Sequence, residues 1–353
     1  MGVDGRHRSL MLIGASSGAV VAPTLTIGST TNYNQDTAVF NATVNTTGNR
    51  NITSVQFQYS TSASFASGNS AFFTASTNST IAQGATSTAC TYNATGLSNG
   101  TVYYVRFRVT NSSGFVTTSS IGGSFTTYSL KAYETFNSSG TWTNPRPTSG
   151  TNGLAITSIL DLFVVGGGSQ GAGSDFTGCG GGGGAVTTSG SISVGSSVVV
   201  TIGAGGAAGG LFGSPPPVTA TASSIAGSTT ITANPGGYPY GSGLGDRAGS
   251  SGNGNLGGLQ YGDAGGGGGG AGGAGQSGYD VGGGIYHGGD GGAGVSGYGV
   301  GGGGGSNQGA YDTVYIGAGG GGANSGGGGL GIDWTLGGVN GASGYAQFRY
   351  YGP

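Results

Sequence analysis

The sequence predicts an all-β chain of two unlike parts. Three observations carry this. Gly, Ser, Thr and Asn, all poor helix formers, dominate it, and no apolar stripe of period 3.6 occurs. Short runs such as Val39–Val44 and Val55–Tyr59 alternate apolar and polar residues with the period of a strand. Glycine is unevenly divided: 15 of the 88 lie in residues 1–150 and 73 in the remaining 203. The reading that follows is an amino-terminal arm (1–22), a β-sandwich (23–128) and a glycine-rich β/polyglycine-II domain (129–353), with a connector at 129–150.

The arm carries Arg6, His7 and Arg8, then Leu10, Met11, Leu12 and Ile13, then small residues to Ala22. A basic start, a short apolar core and small residues resemble a secretory signal. Pro23 directly after Ala22 opposes cleavage there. The favoured expectation is an arm that docks on a partner subunit; the alternative is an arm folded back on its own domain.

The strongest strand of the sandwich is Thr101–Val109. Tyr103, Val105, Phe107 and Val109 form one apolar face, and Arg106 and Arg108 lie on the other. Turn residues Asn111–Gly114 follow, then a further strand at Phe115–Thr118. Strands of this length and spacing predict a seven-strand sandwich. The run Leu97-x-x-Gly100-Thr101-x-Tyr103, followed by Arg106, Arg108 and Asn111-x-x-Gly114, resembles the E–F corner and strand F of a fibronectin type III domain. The resemblance implies that Tyr103 is structural, its hydroxyl closing the corner onto upstream backbone. It implies a spacer or binding module, with no chemistry of its own. The tryptophan of that family's second strand is missing, since the first Trp here is Trp142. Asn-x-Ser/Thr triplets at Asn41, Asn45, Asn51, Asn78, Asn93, Asn99, Asn111 and Asn137 are either glycan acceptors or products of a composition rich in all three residues.

The glycine-rich part opens with Phe136–Pro145, which holds Gly140-Thr141-Trp142-Thr143. An apolar strand, Ile159–Val165, runs into Gly166–Gly168. Val198–Gly206, Ser224–Ala233 and the closing Gly344–Tyr350 follow. This order is similar to the glycine-rich domain of tailed-bacteriophage tail fibres and related appendages. The resemblance covers residues 134–353.

The glycine runs themselves, among them Gly180–Gly184, Gly265–Gly270, Gly301–Gly305, Gly319–Gly322 and Gly326–Gly329, admit two physical readings. Isolated runs behave as flexible linkers. Side by side, glycine strands lack Cβ atoms and approach closely enough for N–H···O and Cα–H···O bonds, building a thin rigid slab of polyproline-II-like strands. Five runs spaced by aromatic residues favour the slab, with irregular glycine loops on a β-core as the alternative.

Several chemistries are excluded or weak. Nine basic and eleven acidic residues give a net charge of −2 without a basic cluster, which argues against nucleic acid. No apolar run approaches the roughly 20 residues needed to span a bilayer as a helix. The single lysine, Lys131, sits in no phosphate-binding loop. Gly166-x-Gly168-x-x-Gly171 follows a strand as a dinucleotide fingerprint would, but no helix-forming segment or ribose-binding acid follows it. His287 and Asp290 lack a nucleophile motif. Asp263, Asp280, Asp290 and Asp312 lack the nine-residue period of calcium repeats. Cys90 and Cys179 are too few for a disulfide scaffold and are expected as free buried thiols. No catalytic residue, metal or cofactor is expected.

What remains is aromatic display. Tyr238, Tyr240, Tyr261, Tyr279, Tyr286, His287, Tyr298, Tyr311 and Trp334 lie mostly between glycine runs and are the candidate receptor contacts. The alternative is that they lie flat on glycine strands as the only side-chain core. With the resemblance, these features imply a non-enzymatic virion surface protein, a tail fibre or appendage. It would be joined to other virion proteins through the arm, homo-oligomeric with a trimer favoured, and in contact with a host surface glycan or protein. A capsid decoration or head-fibre protein is the second expectation, and an extracellular adhesin or filament subunit the third.

Overall fold

The computed structural model of the chain describes residues 19–66, 71–150, 152–173, 177–207, 219–239, 248–261, 264–281, 286–303, 305–307, 314–316 and 339–353. Among them every regular element is a β-strand. The chain divides into two units, one running to Tyr128 and taking in Thr151–Gly153, the other holding Ser129–Gly150 and Leu154–Pro353.

The first unit contains β1 (Thr24–Ile27), β2 (Ala38–Thr46), β3 (Ile52–Ser60), β4 (Phe72–Thr74), β5 (Thr86–Ala94), β6 (Val102–Asn111), β7 (Val116–Thr118) and β8 (Phe125–Thr126). One sheet is ordered β1-β2-β5; the other is β4-β3-β6-β7, with β8 also pairing with β6. The alternation read from the sequence sets which side chains meet. Phe40, Phe57, Tyr59, Tyr103, Phe107 and Phe125 enter one core. Phe57 stacks on Phe107 at 5.5 Å, and Tyr103 stacks on Phe125 at 5.8 Å. Such rings contribute about 1.5–3 kcal/mol each by burial. The Tyr103 hydroxyl accepts the Ser98 N–H at 2.9 Å, closing the turn between β5 and β6. Gly114, at φ +79°, completes the next turn, where Asn111 Oδ1 accepts from the N–H groups of Ser113 and Phe115. Ahead of Pro23, Asn49 donates to the Ala19 carbonyl and accepts from the Val21 N–H. Residues 19–22, read above as arm, are therefore hydrogen-bonded to the sandwich.

The second unit begins with β9 (Ser129–Leu130), β10 (Glu134–Phe136), β11 (Gly140–Thr143), β12 (Ser158–Val165), β13 (Ala172–Gly173), β14 (Thr177–Cys179), β15 (Val186–Ser193), β16 (Ser197–Thr201), β17 (Ser223–Ala226) and β18 (Thr230–Ala233). It continues with β19 (Tyr279–Asp280), β20 (Tyr286–His287), β21 (Gly305–Asn307), β22 (Val314–Ile316), β23 (Tyr345–Arg349) and β24 (Tyr351–Gly352). Two four-stranded sheets, β10-β23-β12-β15 and β11-β16-β17-β18, enclose a side-chain core of Trp142, Ile159, Leu162, Val164, Val198, Val200, Ile225 and Phe348. Trp142 meets Phe348 edge-on at 5.6 Å. The segment Ser224–Ala233 is a hairpin, turning between β17 and β18.

Beyond this core the same strands continue as glycine. β12 leads into Gly166–Gly168, β16 into Gly203–Gly206 and β18 into Gly236–Gly237, while Gly180–Gly184 leads into β15 and Gly341–Gly344 into β23. A sheet strand has two neighbours, but Gly180–Gly184 exchanges backbone hydrogen bonds with five segments. Its partners are Ser169, Gly237, Gly249 with Gly252, Gly266 with Gly269, and Gly302. The bonds recur every third residue: Gly180 and Gly183 donate to Gly266 and Gly269, Gly249 and Gly252 to Gly180 and Gly183, and Gly289 and Gly292 to Gly265 and Gly268, all at 2.8–3.0 Å. Three residues per turn with neighbours on all sides is the geometry of packed polyglycine-II strands. Gly180–Gly184 and Gly265–Gly270 are buried. A Cβ placed at Gly180, Gly182, Gly267 or Gly268 would overlap the carbonyl of Gly302, Ser250, Asp290 or Gly181. Glycine is thus the core residue here, excluded from substitution by backbone rather than by side chains.

Candidate functional site

A lattice of backbone offers no side chains of its own, so recognition groups are confined to its margins. Segments 256–261 and 275–281 run together: Gly275 N–H donates to the Leu256 carbonyl and Gly278 N–H to that of Leu259, each at 3.0 Å. β19 pairs with β20, setting Tyr279 opposite His287, and the two rings stack at 5.5 Å and 11°. The outcome is a margin of exposed apolar and aromatic groups: Leu256, Leu259, Tyr261, Tyr279 and Val281, with Tyr261 at 58% and Tyr279 at 49% exposure. The backbone at Leu256, Leu259, Tyr261 and Tyr279 is hydrogen-bonded to neighbouring segments, so these side chains are positioned at little entropic cost on binding.

The other residues expected in contact roles divide. Tyr286 and His287 are half-buried. Tyr238 is half-buried too, and burial, then proximity to Cys179, pushes its hydroxyl above the ordinary tyrosine range. Tyr298 is a packing residue, edge-on to Phe163 at 5.1 Å and stacked on Tyr345 at 5.4 Å. Tyr240, Tyr311, Trp334 and the arm residues Arg6 to Ile13 lie outside the described residues. Gly166, Gly167 and Gly168 are spent in the lattice, where each donates its N–H to another strand. Cys90 and Cys179 are buried, and neither forms a disulfide. Asn111 is 1% exposed, and Asn41, Asn45 and Asn78 donate their amides to nearby backbone or hydroxyl groups, so these side chains serve the fold.

The sequence reading missed a second feature. Between β12 and β23 the register shifts by one residue between Leu160 and Phe163. Asp161 occupies that irregularity at φ +51°, a left-handed conformation that Asp tolerates better than most residues. Bulges of this kind re-aim a side chain. Here the carboxylate accepts from Arg349 Nε at 2.5 Å, and this hydrogen bond raises the guanidinium's pKa. Arg349 also lies over the Tyr133 ring at 5.0 Å. Asp161, Arg349, Tyr133, Phe163, Gln347 and Thr188 line an open groove of about 480 Å³. It offers a carboxylate, a guanidinium, an amide and two aromatic walls, enough to hydrogen-bond and stack a polar ligand. The signal in the sequence was an acid interrupting an otherwise apolar strand.

Among the described residues no three or more His, Cys, Asp or Glu side chains gather as a metal site would require. No helix among them is long and apolar enough to cross a membrane. No protein-family model matches the chain, and neither a curated protein nor a solved structure matches it.

Proposed function

We propose that this chain is a non-enzymatic structural protein of a virion, a tail fibre or appendage that contacts the host surface. The observation that carries the reading is the buried glycine lattice with Tyr261 and Tyr279 exposed at its margin. A body whose core is backbone resists deformation, and rigid aromatic groups give large contact area at low entropic cost. The order of glycine runs and flanking strands, similar to tail-fibre glycine-rich domains, supports the same reading. The sandwich of the first unit acts as a spacer, Tyr103 keeps its corner closed, and the amino-terminal arm joins other virion proteins. Electron microscopy of purified particles with a gold-labelled antibody against the chain tests this. Label confined to tail appendages, at a few tens of copies, is the expected result. Label spread over the capsid at hundreds of copies would favour a decoration protein, and particles without label would overturn the reading.

A further inference from the structure

We propose that the outer face of the β4-β3-β6-β7 sheet is a binding site for an oxyanionic polysaccharide, held by Arg106 and Arg108. Because Val105, Phe107 and Val109 enter the core, Arg106 and Arg108 both point outward from β6, two residues apart. Cross-strand register sets Arg106 opposite Gln58 and Arg108 opposite Gln56. Each arginine donates its Nε–H to the Oε1 of its glutamine, at 2.6 and 3.0 Å. Each guanidinium also lies over a ring: Arg106 is 4.2 Å from the centre of Phe65, and Arg108 is 3.4 Å from that of Phe72. Both side chains are thus immobilised, with one N–H donor of five satisfied and one face covered.

Among the described residues their remaining donors meet no carboxylate. The one ion pair among the described residues is Arg349–Asp161, in the other unit. Between residues 23 and 128 the only acid is Asp36, which precedes β2 of the opposite sheet; with Arg50, Arg106 and Arg108 the net charge of that stretch is +2. A second observation points the same way. Phe65 is buried with φ +55°, a conformation rare for a bulky residue, and its ring is the one under Arg106. Strain of this kind is characteristic of ligand clamps.

The geometry defines the ligand. Residues two apart in a strand are about 7 Å apart, so the pair fits a polymer bearing oxyanions at that spacing. The guanidinium fork matches carboxylate and sulfate groups alike. Nucleic acid is the weaker match. Its affinity rests on many phosphates and on bare aromatic platforms for bases, whereas this face has two cations and its Phe65 and Phe72 rings already carry guanidinium groups.

The experiment titrates the full chain with polygalacturonate and with dextran sulfate, using neutral dextran and oligothymidylate of similar length as comparisons. Binding of one or both polyanions, none of dextran, and a shallow salt dependence of about two displaced counterions are expected. The double variant Arg106→Gln, Arg108→Gln should lose affinity by about tenfold per arginine, and Arg106→Lys, Arg108→Lys by less. On the wild-type chain, where folding of a variant plays no part, bound polyanion should protect Arg106 and Arg108 from phenylglyoxal. Absence of polyanion binding, unprotected arginines, or tighter binding of oligothymidylate would each overturn the proposal. So would a chain dimer that the glutamine variant dissociates, since a second copy would then be the occupant.

Discussion

At the scale of single residues, two side chains of the sandwich carry measurable consequences. Tyr103 combines a buried ring with one hydroxyl bond to the Ser98 N–H. Tyr103→Phe keeps the ring and strands that donor. The expected loss is about 1–2 kcal/mol of stability, read as faster hydrogen exchange at Ser98 and along β6; unchanged exchange would show the bond to be dispensable. Cys90 is the second. Burial pushes its thiol from 9.0 up to about 11. The unfolded thiol ionises first, so stability is intact below its ordinary value and falls as pH rises from 9.0 toward about 11. Tyr59, raised by burial and then by Tyr92 and Tyr103, adds in the same direction. Cys90→Ala should therefore give a shallower alkaline loss of stability than the wild type, measured by denaturant unfolding at stepped pH. Equal slopes would assign the loss to the tyrosines alone.

At the scale of elements, the glycine strands differ from every other strand in what stabilises them. Ordering glycine costs more backbone entropy than ordering any other residue, and the return comes from close backbone approach in several directions. Gly267 sits where an added Cβ would overlap the Asp290 carbonyl, while a Cβ at Gly273 would have nothing nearer than 3.9 Å. Gly267→Val should then destabilise by roughly 3 kcal/mol or more, beyond ordinary overpacking because rigid backbone must move. Gly273→Ala should be silent or slightly stabilising, since it narrows the unfolded ensemble. Thermal melts of the two full-length variants decide the matter, and a Gly267→Val melt at or above the wild type would refute the lattice as a stability element. That the glycine runs are unusual is legible in the amino-acid order by itself. Which glycine tolerates a side chain is not, because that depends on a carbonyl contributed by a strand some 20 residues away.

At the scale of the whole molecule, charge is distributed unevenly. Residues 23–128 carry +2, and residues 129–353, with four basic and nine acidic side chains, carry −5. Such asymmetry biases the two parts toward partners of opposite sign. Assembly is expected to depend on neither part but on the arm. Because Ala19 and Val21 are hydrogen-bonded to Asn49, the cut that spares the sandwich removes residues 1–18. A chain beginning at Ala19 should fold and melt as the full chain does, yet fail to join particles. Normal occupancy of the truncated chain in purified virions would refute the role of the arm.

The amino-acid sequence alone determined the all-β class, because it lacks helix formers and its apolar residues alternate with period two. It determined the facing of β6, since one strand's alternation settles which side chains enter a core. Through a family resemblance it also implied the corner role of Tyr103, and it marked the rise of glycine after residue 150. Tertiary structure alone decided the rest. Whether a tyrosine between glycine runs is displayed, as Tyr261 and Tyr279 are, or packed, as Tyr298 is, depends on which strands lie beside it. The groove at Asp161 depends on a register shift against β23, nearly 190 residues further along the chain. The arginine face depends on the pairing of β6 with β3 and on a loop that brings Phe65 beneath Arg106. Local pattern specifies a strand and its faces. Contacts between distant segments are set by how the strands pair and pack together, and no window of sequence contains that information.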